Sequence, residues 1–84
     1  MEDKELFEKL ERIVKESFEL PKRKEITPLT LLREDLGMDS LDEYELIYEI
    51  EEEFGIVIPE DDKYLVDIET FKDLANYLKK NYKL

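Results

Sequence analysis

Apolar residues recur at helical spacing in three stretches of this 84-residue chain, and that recurrence limits what it can fold into. In the first, Leu6, Phe7, Leu10, Ile13, Val14 and Phe18 define one stripe, which predicts a helix over about Asp3–Phe18. In the second, Leu46, Ile47, Ile50 and Phe54 share one side of a helix that begins near Ser40 and stops at Gly55. In the third, Phe71, Leu74, Ala75, Tyr77 and Leu78 follow a capping arrangement of Thr70 and Asp73 and run to near Lys80. The only strand-like run is Gly55-Ile56-Val57-Ile58, which is short and flanked by helix. A chain of this length buries only about 60–65% of its unfolded surface, too little for two cores, so the three stripes must face one another. The expectation is an all-α bundle of three main helices, one domain over residues 1–84. A short connecting helix is expected after Pro59, through Tyr64, Leu65 and Val66. Between Pro28 and Gly37 the spacing predicts a packed loop that sends Leu32 and Leu36 to the core.

Composition narrows the function. The chain has no Cys, so it can build neither a disulfide framework nor a thiolate metal site. It has no His either, and a nucleophilic serine ordinarily needs a neighbouring base with a pKa near neutrality. The opening MEDKELFEKL lacks the apolar run of a secretory signal, and no later run would span a bilayer, so a cytoplasmic monomer is expected. The net charge of −11 argues against nucleic acid and anionic membrane surfaces, which select basic patches. The charge is also local: Glu34–Asp62 holds thirteen acids and no Lys or Arg, while the remainder holds thirteen bases against eleven acids, or +2. Partners should be basic. On the first helix, Glu5 with Lys9, Glu8 with Arg12 and Glu11 with Lys15 are spaced for structural pairs.

The second helix has a divided surface. Opposite its apolar side lie Leu41, Tyr44, Glu45, Tyr48, Glu51 and Glu52, an apolar and aromatic centre ringed by acids, which suits a transient protein interface. Ser40 stands at or beside the N-terminus of this helix, where unpaired N–H groups and the positive end of the dipole favour a capping oxygen or a phosphate. Position alone leaves both open.

The string Glu34-Asp35-Leu36-Gly37-Met38-Asp39-Ser40-Leu41-Asp42, continuing through Glu45-Leu46 and Glu51-Glu52-Glu53-Phe54-Gly55 to Ile58-Pro59, closely resembles the acyl carrier proteins of fatty acid and polyketide synthesis. With gaps, the resemblance covers nearly the whole chain. It implies that Ser40 receives 4′-phosphopantetheine from coenzyme A through a separate phosphopantetheinyl transferase, and that acyl groups ride on the arm as thioesters. The chain would then be a carrier and a substrate of that transferase rather than an enzyme, most naturally in fatty acid biosynthesis or a related specialised acyl pathway. By the same resemblance Asp39, Leu41 and Asp42 flank the arm and contact the transferase. Tyr44, Glu45, Tyr48, Glu51 and Glu52 match the face that docks on basic patches of acyl-transferring, condensing and reducing enzymes. Leu32, Leu46, Ile50, Phe54 and Ile68 would line an acyl pocket if the core opens.

Some residues depart from the family's pattern. Tyr44 and Tyr48 stand where common bacterial carriers have aliphatic residues, Glu43 is a charged residue on the core side, and the stretch from Pro59 to Ile68 is slightly long. Three rivals fit less well. A peptidyl carrier usually lacks the acid corresponding to Asp39, a calcium loop is broken by Leu36, Met38 and Leu41, and an adaptor bundle would leave Ser40 unmodified.

Overall fold

The computed structural model describes residues 2–59 and 68–84. Their regular structure is three helices: α1 over Asp3–Ser17, α2 over Ser40–Phe54 and α3 over Phe71–Tyr82. The expected connecting helix falls largely on residues 60–67, outside the described residues. The strand-like run at 55–58 forms no strand.

Helix α1 buries Leu6, Leu10, Ile13 and Val14, the stripe read from the sequence. Phe7 is half-buried and sets its ring 5.3 Å from Phe71 of α3, tilted by 49°. Asp3 and Glu5 in the first turn and Lys15 in the last suit the helix dipole, although no side chain caps this helix. It ends where Glu19 turns left-handed, at φ 53°, and the Leu20 N–H returns to the Lys15 carbonyl at 2.9 Å. Gly55, at φ 64°, ends α2 in the same way, with the Ile56 N–H reaching the Glu51 carbonyl.

The core is one cluster fed by every element. Leu6, Leu10, Val14, Leu32, Leu46, Ile47, Ile50, Phe71, Leu74 and Leu78 are wholly buried. Each such side chain contributes about 1.5–3 kcal/mol relative to exposure. Helix α1 packs on both α2 and α3, whereas no Cα of α2 comes within 8 Å of a Cα of α3. The long loop from α1 to α2 adds Ile26, Leu32 and Met38 to the same core.

That loop is pinned to the start of α3. The Phe71 and Lys72 amides, which α3 itself cannot satisfy, donate to the Thr30 and Pro28 carbonyls at 3.0 and 2.9 Å, and the Leu32 N–H donates to the Glu69 carbonyl at 2.9 Å. An isolated antiparallel bridge pairs Leu31 with Thr70. Within the loop, Asp35 Oδ2 accepts from the Leu31 N–H, and the Met38 N–H reaches the Leu32 carbonyl. Leu32 is thereby driven into the core and Leu36 is half-buried, in turns rather than a helix. Residues 31–38 are held in place as the approach to Ser40.

The ion pairs of α1 differ from the sequence expectation. Only Glu11–Lys15 forms, at 2.9 Å. Arg12 turns from Glu8 to Glu53 of α2 at 2.9 Å and Glu16 at 3.7 Å, and Lys9 reaches over the Phe54 ring at 5.9 Å. A neighbouring helix dense in acid offers a better field than a lone acid on the same helix. Beside Glu53, the Arg12 guanidinium is held above its ordinary pKa.

Candidate functional site

Ser40 is the first residue of α2, and Asp39 is its N-cap. Asp39 Oδ1 accepts from the Asp42 N–H at 2.9 Å, and Asp42 Oδ2 accepts from the Asp39 N–H at 3.1 Å, a reciprocal capping box. The observed bonds make Asp39 rather than Ser40 the cap, although Ser40-x-x-Glu43 has the same spacing in the sequence. The serine side chain is exposed and forms no hydrogen bond with the described residues. The amides of Ser40 and Leu41 are the first-turn donors used neither by the box nor by the helix ladder, which begins with Glu43 N–H to the Asp39 carbonyl at 3.0 Å. A free hydroxyl therefore stands at the positive end of a 15-residue helix with two uncommitted amides beside it. Gly37, at φ 70°, makes the turn that brings the chain into this end.

The face expected to dock partners has a defined shape. Leu41 is 76% exposed and Tyr48 55%, and Glu45 and Glu52 are exposed, while Tyr44 and Asp42 are half-buried. Tyr48 and Glu52 are joined by a side-chain hydrogen bond, which holds the Tyr48 phenol above its ordinary pKa, with the charge of Glu52 adding to the effect. Glu51 is placed differently from the helical-wheel reading. It is half-buried, and its Oε2 accepts from the Ile58 N–H at 2.8 Å, tying the chain after α2 back to the helix. The Tyr82 hydroxyl secures the same segment by donating to the Val57 carbonyl at 3.1 Å.

Of the residues expected to line an acyl pocket, Leu32, Leu46 and Ile50 are wholly buried, and Phe54 and Ile68 are partly buried against the same cluster. They lie together as core.

Glu43 is wholly buried, as its position on the core side of α2 required. Arg33, in the loop, donates from Nη2 to Glu43 Oε1 at 2.6 Å, while its own side chain stays 61% exposed. Arg33 did not figure in the sequence reading. The clue lay in Glu43 itself, since a carboxylate on an apolar stripe calls for a base nearby.

The chain matches the family described as "Phosphopantetheine attachment site" over residues 8–78. It is 38% identical to an acyl carrier protein of Treponema denticola over 79 residues, covering 94% of this chain and 97% of that one. It is 44% identical to one of Treponema pallidum over 75 residues (89% and 92%), and 41% identical to one of Borreliella burgdorferi over 80 residues (95% and 96%). The chain belongs to the acyl carrier protein family, whose members are not themselves catalysts and hold acyl groups on 4′-phosphopantetheine for partner enzymes. The N-terminus of α2 fits that group, because its hydroxyl is exposed, unbonded and flanked by free amides.

Proposed function

We propose that Ser40 is the attachment residue and that the chain carries acyl intermediates in fatty acid biosynthesis or a related specialised pathway, as a cytoplasmic monomer and a single carrier domain. The observation that carries this reading is the division of roles at the head of α2: Asp39 and Asp42 complete the cap, leaving Ser40 Oγ free. In the priming step Ser40 Oγ forms a new bond to the phosphorus that bears pantetheine. The pyrophosphate P–O bond of coenzyme A breaks, the adenosine bisphosphate leaves, and the serine proton passes to a base of the transferase. The base must be external, because this chain has no His. Once attached, phosphopantetheine supplies the thiol on which acyl groups are held as thioesters.

Leu41 and Tyr48 form the apolar centre of a docking face, with Asp42, Tyr44, Glu45 and Glu52 around it, facing basic patches on the transferase and on acyl-transferring, condensing and reducing enzymes. Glu51 contributes charge to that rim but is committed to Ile58. Among the described residues no helix is long and apolar enough to cross a membrane.

Intact-mass spectrometry after incubation with coenzyme A and a broad-specificity phosphopantetheinyl transferase tests the attachment. Wild type should gain one arm and Ser40→Ala none. An equal gain by Ser40→Ala, or no gain by wild type, would sink the assignment.

A further inference from the structure

Glu43 places a carboxylate where the interior is otherwise hydrocarbon. It is the first residue of α2 after Ser40 to be wholly buried, and Leu46, Ile47 and Ile50 follow it inward. Arg33 holds Oε1 at 2.6 Å and so fixes the carboxylate's orientation. Oε2 is equally buried and finds no hydrogen-bond partner among the described residues. A buried acceptor without a donor is unfavourable, more so when the group is charged, and Thr30, the other buried polar side chain among the described residues, has its hydroxyl engaged with Thr27. Helices α2 and α3 make no close backbone approach, so they share the core through side chains rather than through a tight backbone seam.

Resting on the carrier reading above, we propose that Glu43 Oε2 is the acceptor for a hydroxyl on the cargo, so that this interior favours 3-hydroxyacyl over unsubstituted acyl chains. The argument is one of position and polarity. A chain that enters tip first from the Ser40 end leaves its thioester end at the mouth, beside the first buried residue. The thioester carbonyl is itself an acceptor and gains nothing from a carboxylate. A hydroxyl on the third carbon lies in the same zone and can donate. Further in, Leu46, Ile47 and Ile50 offer only apolar contact to the tail.

The test is a comparison of sign. An apolar interior rejects a hydroxyl, so without this acceptor the 3-hydroxyacyl chain should be the less protected of the two. Wild type, Glu43→Gln and Glu43→Leu are loaded with octanoyl or 3-hydroxyoctanoyl pantetheine from the corresponding coenzyme A thioesters, with loading read by intact mass. Thioester cleavage by hydroxylamine is then timed against the matching free pantetheine thioester. Wild type should protect the 3-hydroxyoctanoyl form about ten-fold better than the octanoyl form, as a hydrogen bond to a charged acceptor allows. Glu43→Gln gives its one oxygen to Arg33 and turns an NH2 donor toward the cargo, so the preference should shrink, whereas Glu43→Leu should reverse it. The carboxyl-carbon NMR signal of Glu43 should also shift on loading the hydroxylated cargo and not the plain one. Equal or better protection of octanoyl in wild type overturns the proposal, as does a hydroxyl preference that survives in Glu43→Leu. So does cleavage of both cargoes at the free-thioester rate, which leaves the carrier reading intact. Only a wild type that gains no arm removes both.

Discussion

Removing Arg33 should unmask the cost of burying Glu43. The carboxylate is wholly inside and its single short contact is the 2.6 Å bond from a guanidinium that is itself 61% exposed. Deleting one partner of a fully buried pair costs about 3–5 kcal/mol, because the other charge is left uncompensated. Here water already reaches the Arg33 side, so solvent screening and refilling bring the expected loss for Arg33→Ala to about 2 kcal/mol. Unfolding entropy near 2.1 cal/mol/K per residue makes that a fall in Tm of about 11 °C for a chain of this size. Glu43→Leu has the opposite sign. It removes the buried charge and the orphaned oxygen together, Arg33 relaxes into water, and stability should hold or rise by about 1 kcal/mol. In the double variant Arg33→Ala/Glu43→Leu there is no charge to strand, so the loss caused by Arg33→Ala should disappear, a coupling of about 2 kcal/mol. Urea unfolding of the four proteins, with a constant m-value as the check on two-state behaviour, measures the cycle. An Arg33→Ala protein that melts within about 2 °C of wild type would refute the reasoning. So would a double variant no more stable than Arg33→Ala.

Three further outcomes follow from contacts elsewhere. Ser40→Ala should melt within about 0.5 kcal/mol of wild type because the hydroxyl holds nothing, whereas Asp39→Ala should lose about 1 kcal/mol with the cap, as calorimetry would show. Glu45→Lys and Glu52→Lys should slow acyl transfer by partner enzymes at low salt with little change in melting, while Glu51→Lys should also lower Tm by freeing the Ile58 amide. Equal melting of Glu51→Lys and Glu52→Lys would count against that distinction. Asp73 is held below the ordinary carboxylate pKa, chiefly by the Thr70 N–H, so its contribution is complete above its unfolded value and lost as pH falls through the lower folded one. The Tm gap between wild type and Asp73→Ala should therefore be present at neutral pH and close as the pH falls below about 4.

The sequence was most legible where the cause is local. Three apolar stripes gave three helices, and the ends at Ser40, Phe54 and Phe71 were readable because caps and left-handed stops depend on a few adjacent residues. What escaped depends on chain returning from a distance. Glu51 pointed outward on a helical wheel, yet residues 56–58 fold back and give its carboxylate a backbone amide. Arg12 was spaced for Glu8, yet α2 offered Glu53. Arg33 had no visible role until the bonds from Thr30 and Leu32 to the start of α3 fixed the loop and set its guanidinium beside Glu43.

The head of α2 joins both kinds of information. Asp and Ser are each good N-caps and each has an acid three positions on, Asp42 and Glu43, so Asp39-Ser40 left the helix start ambiguous by one residue; with Glu43 buried and held by Arg33, the box falls to Asp39 and Asp42. Under the attachment proposed for Ser40, that one-residue difference decides the chemistry. A capping serine would be turned into its own backbone and would have to break a bond to react, whereas the serine after the cap presents an unbonded oxygen at no cost to the helix. The acids beside Ser40 thus serve the fold first, and whatever part they play in partner recognition rests on the second oxygen that each leaves outside the box.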